Sequence, residues 1–177
     1  MLIDTLNKYA NPYFPANSSR SSVLYTFSII LRNKGLLAII YHLFERFVYK
    51  NNLIAPFKST LKIINIPLKM IMLIITKIDI SYDTQMDPGV YLSNKGRIII
   101  GAISLGDNCR ISSNVTIGMD LNGLKPTIGN SVTISENVVI YGDINVGDSV
   151  NILPGTILNR SVPQNKTIQG NPARLIK

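Results

Sequence analysis

One cysteine, Cys109, and one histidine, His42, are all that this 177-residue sequence holds of the two most reactive side-chain types. A lone cysteine excludes an intrachain disulfide, and nothing points to an oxidising compartment. No metal site is expected. Long uncharged runs are missing too: Ser21 to Leu31, Gly35 to Phe44 and Ile63 to Ile75 are short or broken by Lys69. All fall below the ~18 uncharged residues of a spanning helix. The opening residues, Met1 to Lys8, lack the basic and apolar regions of a signal peptide. The expected address is therefore cytoplasmic. Low-complexity tracts are absent, and 46% of the residues are hydrophobic. A disordered or fibrous chain is thereby disfavoured, and one ordinary domain, or a domain with a helical appendage, is expected.

Acidic residues are scarce in one part of the chain. Residues 1–77 hold ten basic side chains against Asp4 and Glu45, which accounts for the whole net charge of +8. Residues 78–177 hold eight of each sign. An anionic partner would meet the N-terminal part. Its basic residues are dispersed and no nucleic-acid motif accompanies them, so nucleic acid is not the expected partner.

Between Ser22 and Ile75 the apolar residues cluster at helical spacing. Breaks fall at Asn33-Lys34-Gly35, at Asn51-Asn52 and at Pro56. Three helices are predicted, over 20–32, 36–50 and 58–76, the last bent or split at Pro67. These helices are too apolar to be fully solvated. They either pack on the rest of the protein or make peripheral contact with a membrane through interspersed Lys and Arg. His42 sits in an apolar stretch of the second helix, where a structural histidine making one hydrogen bond is expected.

The C-terminal hundred residues carry a period. Large aliphatics recur every six residues at Leu105, Ile111 and Ile117, then at Ile128, Ile134, Ile140, Val146, Ile152 and Leu158. The next residue is often small: Gly106, Ser112, Gly118, Gly129, Ser135 and Gly147. Four residues after each aliphatic comes a compact or β-branched one, Cys109 among them. Six is an even multiple of the strand alternation, so every aliphatic returns to one face after a flat segment and a turn. Such a face is buried by the next coil. Cys109 is then an interior hydrophobe, not a nucleophile. Between Ile117 and Ile128 the step is eleven, so about five extra residues leave the coil as a loop over 118–127.

Asp79-Ile80, Gly89, Ile98-Ile99-Ile100-Gly101, Val115-Thr116-Ile117-Gly118, the loop ending at Pro126 and the closing Gly170-Asn171-Pro172-Ala173-Arg174 carry a resemblance. The chain resembles the hexapeptide-repeat acyltransferases, and within them the serine acetyltransferases and their relatives in surface-polysaccharide biosynthesis. That resemblance implies a mainly β fold: a left-handed parallel β-helix over 78–177, preceded by an α-helical region over 1–77. It also implies a homotrimer, with acetyl-CoA lying between neighbouring prisms.

In the serine acetyltransferases a histidine deprotonates the acceptor hydroxyl and an aspartate fifteen residues earlier orients it. Here the aspartate aligns with Asp79 and the base with Asn94, and a second active-site histidine aligns with Lys125. Both histidines are replaced, and an uncharged amide is no general base near neutral pH. The resemblance thus marks Asp79, Asn94 and Asp120 as catalytic candidates, Asp87 as a weaker one, and Ser93 and Lys125 as substrate-binding. Gly118, Ser135 and Glu136 align with the CoA groove, and Lys166 and Arg174 suit its phosphates. The expected activity is acetyl transfer from acetyl-CoA to a sugar hydroxyl or amine, on a lipid-linked saccharide at the inner membrane face. Serine O-acetylation and a non-catalytic CoA- or partner-binding trimer are the alternatives.

Overall fold

The computed structural model describes residues 8–9, 11–13, 30, 32–51 and 55–176. After a 3-10 turn at Asn11–Tyr13 come two helices, α1 (Lys34–Lys50) and α2 (Ala55–Thr76). The helix predicted over 20–32 falls almost wholly outside the described residues. On α1 the buried residues Leu36, Ile39, His42, Glu45 and Val48 are three apart, one stripe that includes two polar side chains.

Helix α2 runs through Pro67 as one helix; the split expected there as the alternative to a bend does not occur. Proline leaves the Ile63 carbonyl without its donor, but Pro67 and Ile63 both lie on the exposed side, where water can take that bond. Because the helix is continuous, Pro56–Thr76 spans 21 residues at a mean hydropathy of 1.5 and meets the length and composition of a membrane span. It carries Lys58, Lys62 and Lys69, so it still holds no run of ~18 uncharged residues. The helix ends as Lys77 adopts φ 60°, the left-handed conformation that turns the chain into the first strand.

From Ile78 the chain winds through three parallel sheets, visiting each in turn five times. The first sheet holds Ile78–Ile80, Ile98–Ile100, Val115–Gly118, Val139–Tyr141 and Ile157–Leu158. The second holds Gln85–Met86, Ser104–Leu105, Thr127–Ile128 and Asn145–Val146, extended by a bridge to Val162. The third holds Tyr91–Leu92, Arg110–Ile111, Thr133–Ile134, Asn151–Ile152 and Thr167–Gln169. Strand Arg174–Ile176 turns back antiparallel along Thr167–Gln169 and closes that edge.

All nine aliphatics of the six-residue series are at most 2% exposed, and the compact residues four positions on, Cys109 to Thr156, are buried with them. In register, Val139 pairs with Ile157, 18 residues on, whereas Leu105 pairs with Ile128, 23 residues on. The difference of five is the loop at 118–127. The corners need left-handed backbone, supplied without glycine by Asn108, Asn114, Asn137 and Asn165, each with φ between 52° and 59°. The small residues after the aliphatics have a different cause. A Cβ on Gly129 would lie 2.5 Å from the Asp148 carboxylate and 3.0 Å from its backbone nitrogen, because the next coil passes that close.

The first coil is less regular. Ile80, Met86 and Leu92 extend the buried series backwards at the same spacing, but Leu92 to Ile100 is eight residues and Ile100 to Leu105 only five. Helix α1 packs across this coil, and its Ala38 and Ile39 join the interior cluster of the solenoid. A coil at the end of a stack has no neighbour to cover it, and α1 serves as the cover.

The inward and outward positions of one strand should therefore respond differently to truncation. Ile140→Ala is expected to lower unfolding free energy by about 2–5 kcal/mol, while Tyr141→Ala, on the outward side, costs under ~1 kcal/mol. Urea denaturation of the two variants checks the alternation.

Candidate active site

The predicted site residues fall on different corners of the triangular cross-section. Ser93 and Asn94 stand at the corner between the third and first sheets, as do Ser135 and Glu136 two coils on. Gly118, Asp120 and Lys125 stand at the corner between the first and second sheets. Asp79 lies on the first sheet itself, Lys166 and Arg174 on the third, and Asp87 follows the first strand of the second. One chain does not bring the Asn94 corner and the Lys125 corner together.

Asn94 is held by α1. Its Oδ1 accepts from the Gly35 backbone N–H at 3.1 Å, and its Nδ2 donates to Asn33 Oδ1 at 2.9 Å. Asn33 itself makes no side-chain cap at the head of α1, so Asn94 caps the helix from across the chain. The close approach requires glycine at 35: a Cβ there would lie 2.3 Å from the Leu92 carbonyl oxygen. Tyr13 tightens the same junction, its hydroxyl accepting from the Leu92 N–H at 2.7 Å and donating to the Leu92 carbonyl at 3.3 Å. Ser93 Oγ accepts from the Lys95 N–H at 3.2 Å.

Asp79 faces the helices. Its carboxylate lies 3.5 Å from Lys69 Nζ, which also meets Glu45 Oε1 at 3.1 Å. Burial pushes the Lys69 ammonium pKa down, but the Glu45 and Asp79 carboxylates outweigh it and hold the value above the ordinary one. Tyr41 donates to Asn65 Oδ1 at 2.8 Å, and Asn65 Nδ2 donates to Glu45 Oε1 at 3.4 Å. Asp79, Lys69 and His42 line a cavity of about 10 Å³, room for a single water.

His42 is 1% exposed, and neither ring nitrogen makes a hydrogen bond of good geometry; the Thr84 backbone is the partner it faces for the single bond expected of it. Burial, followed by the Arg46 charge, pushes its pKa down to about 4. Cys109 is likewise sealed in, with burial raising its thiol pKa to about 11. It is not a nucleophile at neutral pH.

In the loop, Asp120 Oδ1 accepts from the backbone N–H groups of Asn122 and Leu124, each at 2.9 Å. The carboxylate thus folds the loop on itself. Lys125 Nζ lies 3.9 Å from Asp83 Oδ2, and Lys50 reaches Asp83 Oδ1 at 3.2 Å. Asp83, Glu45 and Lys69 were not singled out from the sequence. Lys69 alone offered a signal, as the one charge in an apolar helical run. Among the CoA candidates, Gly118 has open space where a side chain would stand, and Glu136, Lys166 and Arg174 are exposed. Among the described residues no group of three His, Cys, Asp or Glu is placed to hold a metal ion.

Two variants test these contacts. Asn94→Ala should lower stability by about 1 kcal/mol through loss of the cap, with Asn94→Asp recovering most of it because it keeps an acceptor for the Gly35 N–H. Guanidinium melts of the pair read this directly. For His42 the folded pKa of about 4 lies below the unfolded 6.5, so folding favours the neutral ring. Its stability is complete above pH 6.5 and falls by roughly 3 kcal/mol as the pH drops to 4. Melts across that range should show a smaller loss for His42→Leu.

No protein-family model matches the chain. A serine acetyltransferase of Synechococcus elongatus is 25% identical over 152 residues, covering 84% of this chain and 59% of that protein, so this chain spans about three-fifths of the relative's length. The crystal structure of serine acetyltransferase from Brucella abortus is 26% identical, with a TM-score of 0.80 over 99% of this chain and 68% of that one. A structure of the Brucella abortus enzyme in complex with coenzyme A shares the fold, at 24% identity and a TM-score of 0.79, covering 99% of this chain and 67% of that one. In sequence and in fold this chain is similar to serine acetyltransferases, and it forms a left-handed parallel β-helix of six-residue repeats with N-terminal helices.

Proposed function

We propose that the chain binds acetyl-CoA and transfers its acetyl group to a small hydroxyl acceptor, with serine ahead of a sugar. The likeness to the Brucella abortus serine acetyltransferase over nearly the whole of this chain carries the reading. In that reaction the acceptor oxygen attacks the thioester carbonyl. The C–O bond forms, the C–S bond breaks, and CoA leaves as the thiol, taking up the proton the hydroxyl gave.

The residues present suit the cosubstrate. Open space beside Gly118 lets a ligand approach the backbone, and exposed Lys166 and Arg174 suit its phosphates. These groups lie on different faces of one prism, so a groove between copies of the chain, as in a homotrimer, best uses them together. Ser135 and Glu136 belong to the same groove in this reading, and Ser93 and Lys125 to the acceptor side.

Deprotonation is where this chain departs from its relatives. Neither Asn94 nor Lys125 replaces an imidazole base, and losing that base costs about 10²–10⁴-fold in rate. A carboxylate of Asp79, Asp87 or Asp120 is what remains, or an amine acceptor that arrives already deprotonated. A sugar of a surface polysaccharide stays within the proposal because the positive N-terminal part suits an anionic, lipid-linked acceptor, but the relatives' names point to serine. A cytoplasmic address belongs to the same proposal.

A second reading, a CoA-binding trimer without turnover, is favoured by one observation: Asn94 is consumed in capping α1. Purified protein incubated with labelled acetyl-CoA and either serine or a panel of sugars and amino sugars separates these readings. The expected result is slow O-acetylserine formation. Transfer to a sugar alone would move the acceptor, and CoA binding without transfer to anything would establish the second reading.

A further inference from the structure

Helix α2 leaves half of its surface without a partner. Ile63, Ile64, Ile66, Met70, Ile71, Ile74 and Ile75 are each between 48% and 73% exposed. On a 3.6-residue helix they form one broad face together with Pro67. Between residues 63 and 76 the single charge is Lys69, and it is turned the other way, into Glu45 and Asp79. The outward face is thus free of charge over more than three turns.

Exposed cations stand near both ends of this face: Lys62, whose Nζ lies 5.2 Å from the centre of the Tyr49 ring, and Lys77 after the last turn. Lys58 turns away from it and donates to the Asn51 carbonyl at 2.9 Å. Helix α2 has no acidic residue in its first turn. Exposed cations at the ends of an apolar helix face suit an anionic surface. The excess of positive charge in residues 1–77 acts in the same direction.

We propose that α2 lies flat in the headgroup layer of an anionic lipid bilayer, its isoleucine face inserted and the exposed Lys62 and Lys77 at the phosphates. Spanning is not the mode. The inner face of α2 is tied down by the Lys69 bridges and by the Tyr41–Asn65 hydrogen bond, and a spanning helix would have to break all of them. A protein partner fits the face less well, because an interface of this size needs directional polar contacts to set its register, and Ile, Met and Pro offer none. Lipid tails require none. This placement does not depend on acetyl transfer.

Co-sedimentation of the full chain with phosphatidylcholine vesicles containing phosphatidylglycerol tests the proposal. Binding is expected to such vesicles, at least tenfold weaker to pure phosphatidylcholine and to the anionic vesicles at 0.5 M salt. Ile66→Glu with Ile74→Glu, both on exposed positions, should reduce binding at least tenfold while leaving the thermal melt intact. Lys62→Gln with Lys77→Gln should weaken binding without touching the apolar face. Absence of binding by the unaltered protein, or equal binding by the isoleucine variant, would overturn the proposal. A Met70→Cys chain that forms disulfide-linked dimers in lipid-free solution and no longer reports vesicle binding would assign the face to a second copy instead.

Discussion

Each coil of this solenoid hides its aliphatic side chain only against the coils above and below it, and the rest of the architecture follows from that dependence. Strict six-residue spacing keeps the interior stacked, so extra residues must leave sideways, as the loop at 118–127 does. Backbone that must turn every few residues draws Asn into left-handed corners, and coils that pass within contact distance exclude side chains at positions such as Gly129. The stack also has two ends. Strand Arg174–Ile176 closes an edge at one, and α1 covers the interior at the other. The cover has to be locked in place, and Asn94, Tyr13 and Tyr9, whose hydroxyl donates to the Met86 carbonyl, provide the locks.

That need changes how the site reads. At the position that the family resemblance marks for a base, this chain has an amide that offers one acceptor and one donor to the head of α1. An imidazole there could not satisfy both partners in the same geometry. Asp79, one strand away, has likewise found a cation on α2. Asn94 and Asp79, the two positions that the resemblance pairs, are joined here to different helices.

Much of the solenoid was legible in the sequence because its signal is local and periodic. Ile128 to Leu158 recur at one spacing without a slip, and every one is buried. The first coil escaped the pattern because the Asn94 corner is longer than the others and the step from Ile100 to Leu105 is shorter. Pro67 left a bend and a split both open because its cost depends on which side of the helix meets water, which no local rule supplies. The contacts of Asn94 with Gly35, and of Lys125 with Asp83, join residues 59 and 42 apart, and nothing near either residue announces them. The functional resemblance was readable, whereas the present use of its residues required the fold.

The locks at the covered end have a temporal consequence during synthesis. Tyr9 bonds a carbonyl 77 residues further along the chain. At ribosomal speeds of about 5–20 residues per second, the N-terminal segment leaves the ribosome roughly 4–15 s before its docking surface exists. A segment that stays undocked for that long is exposed to chaperones and to other chains. It settles only once the first coil has followed it out.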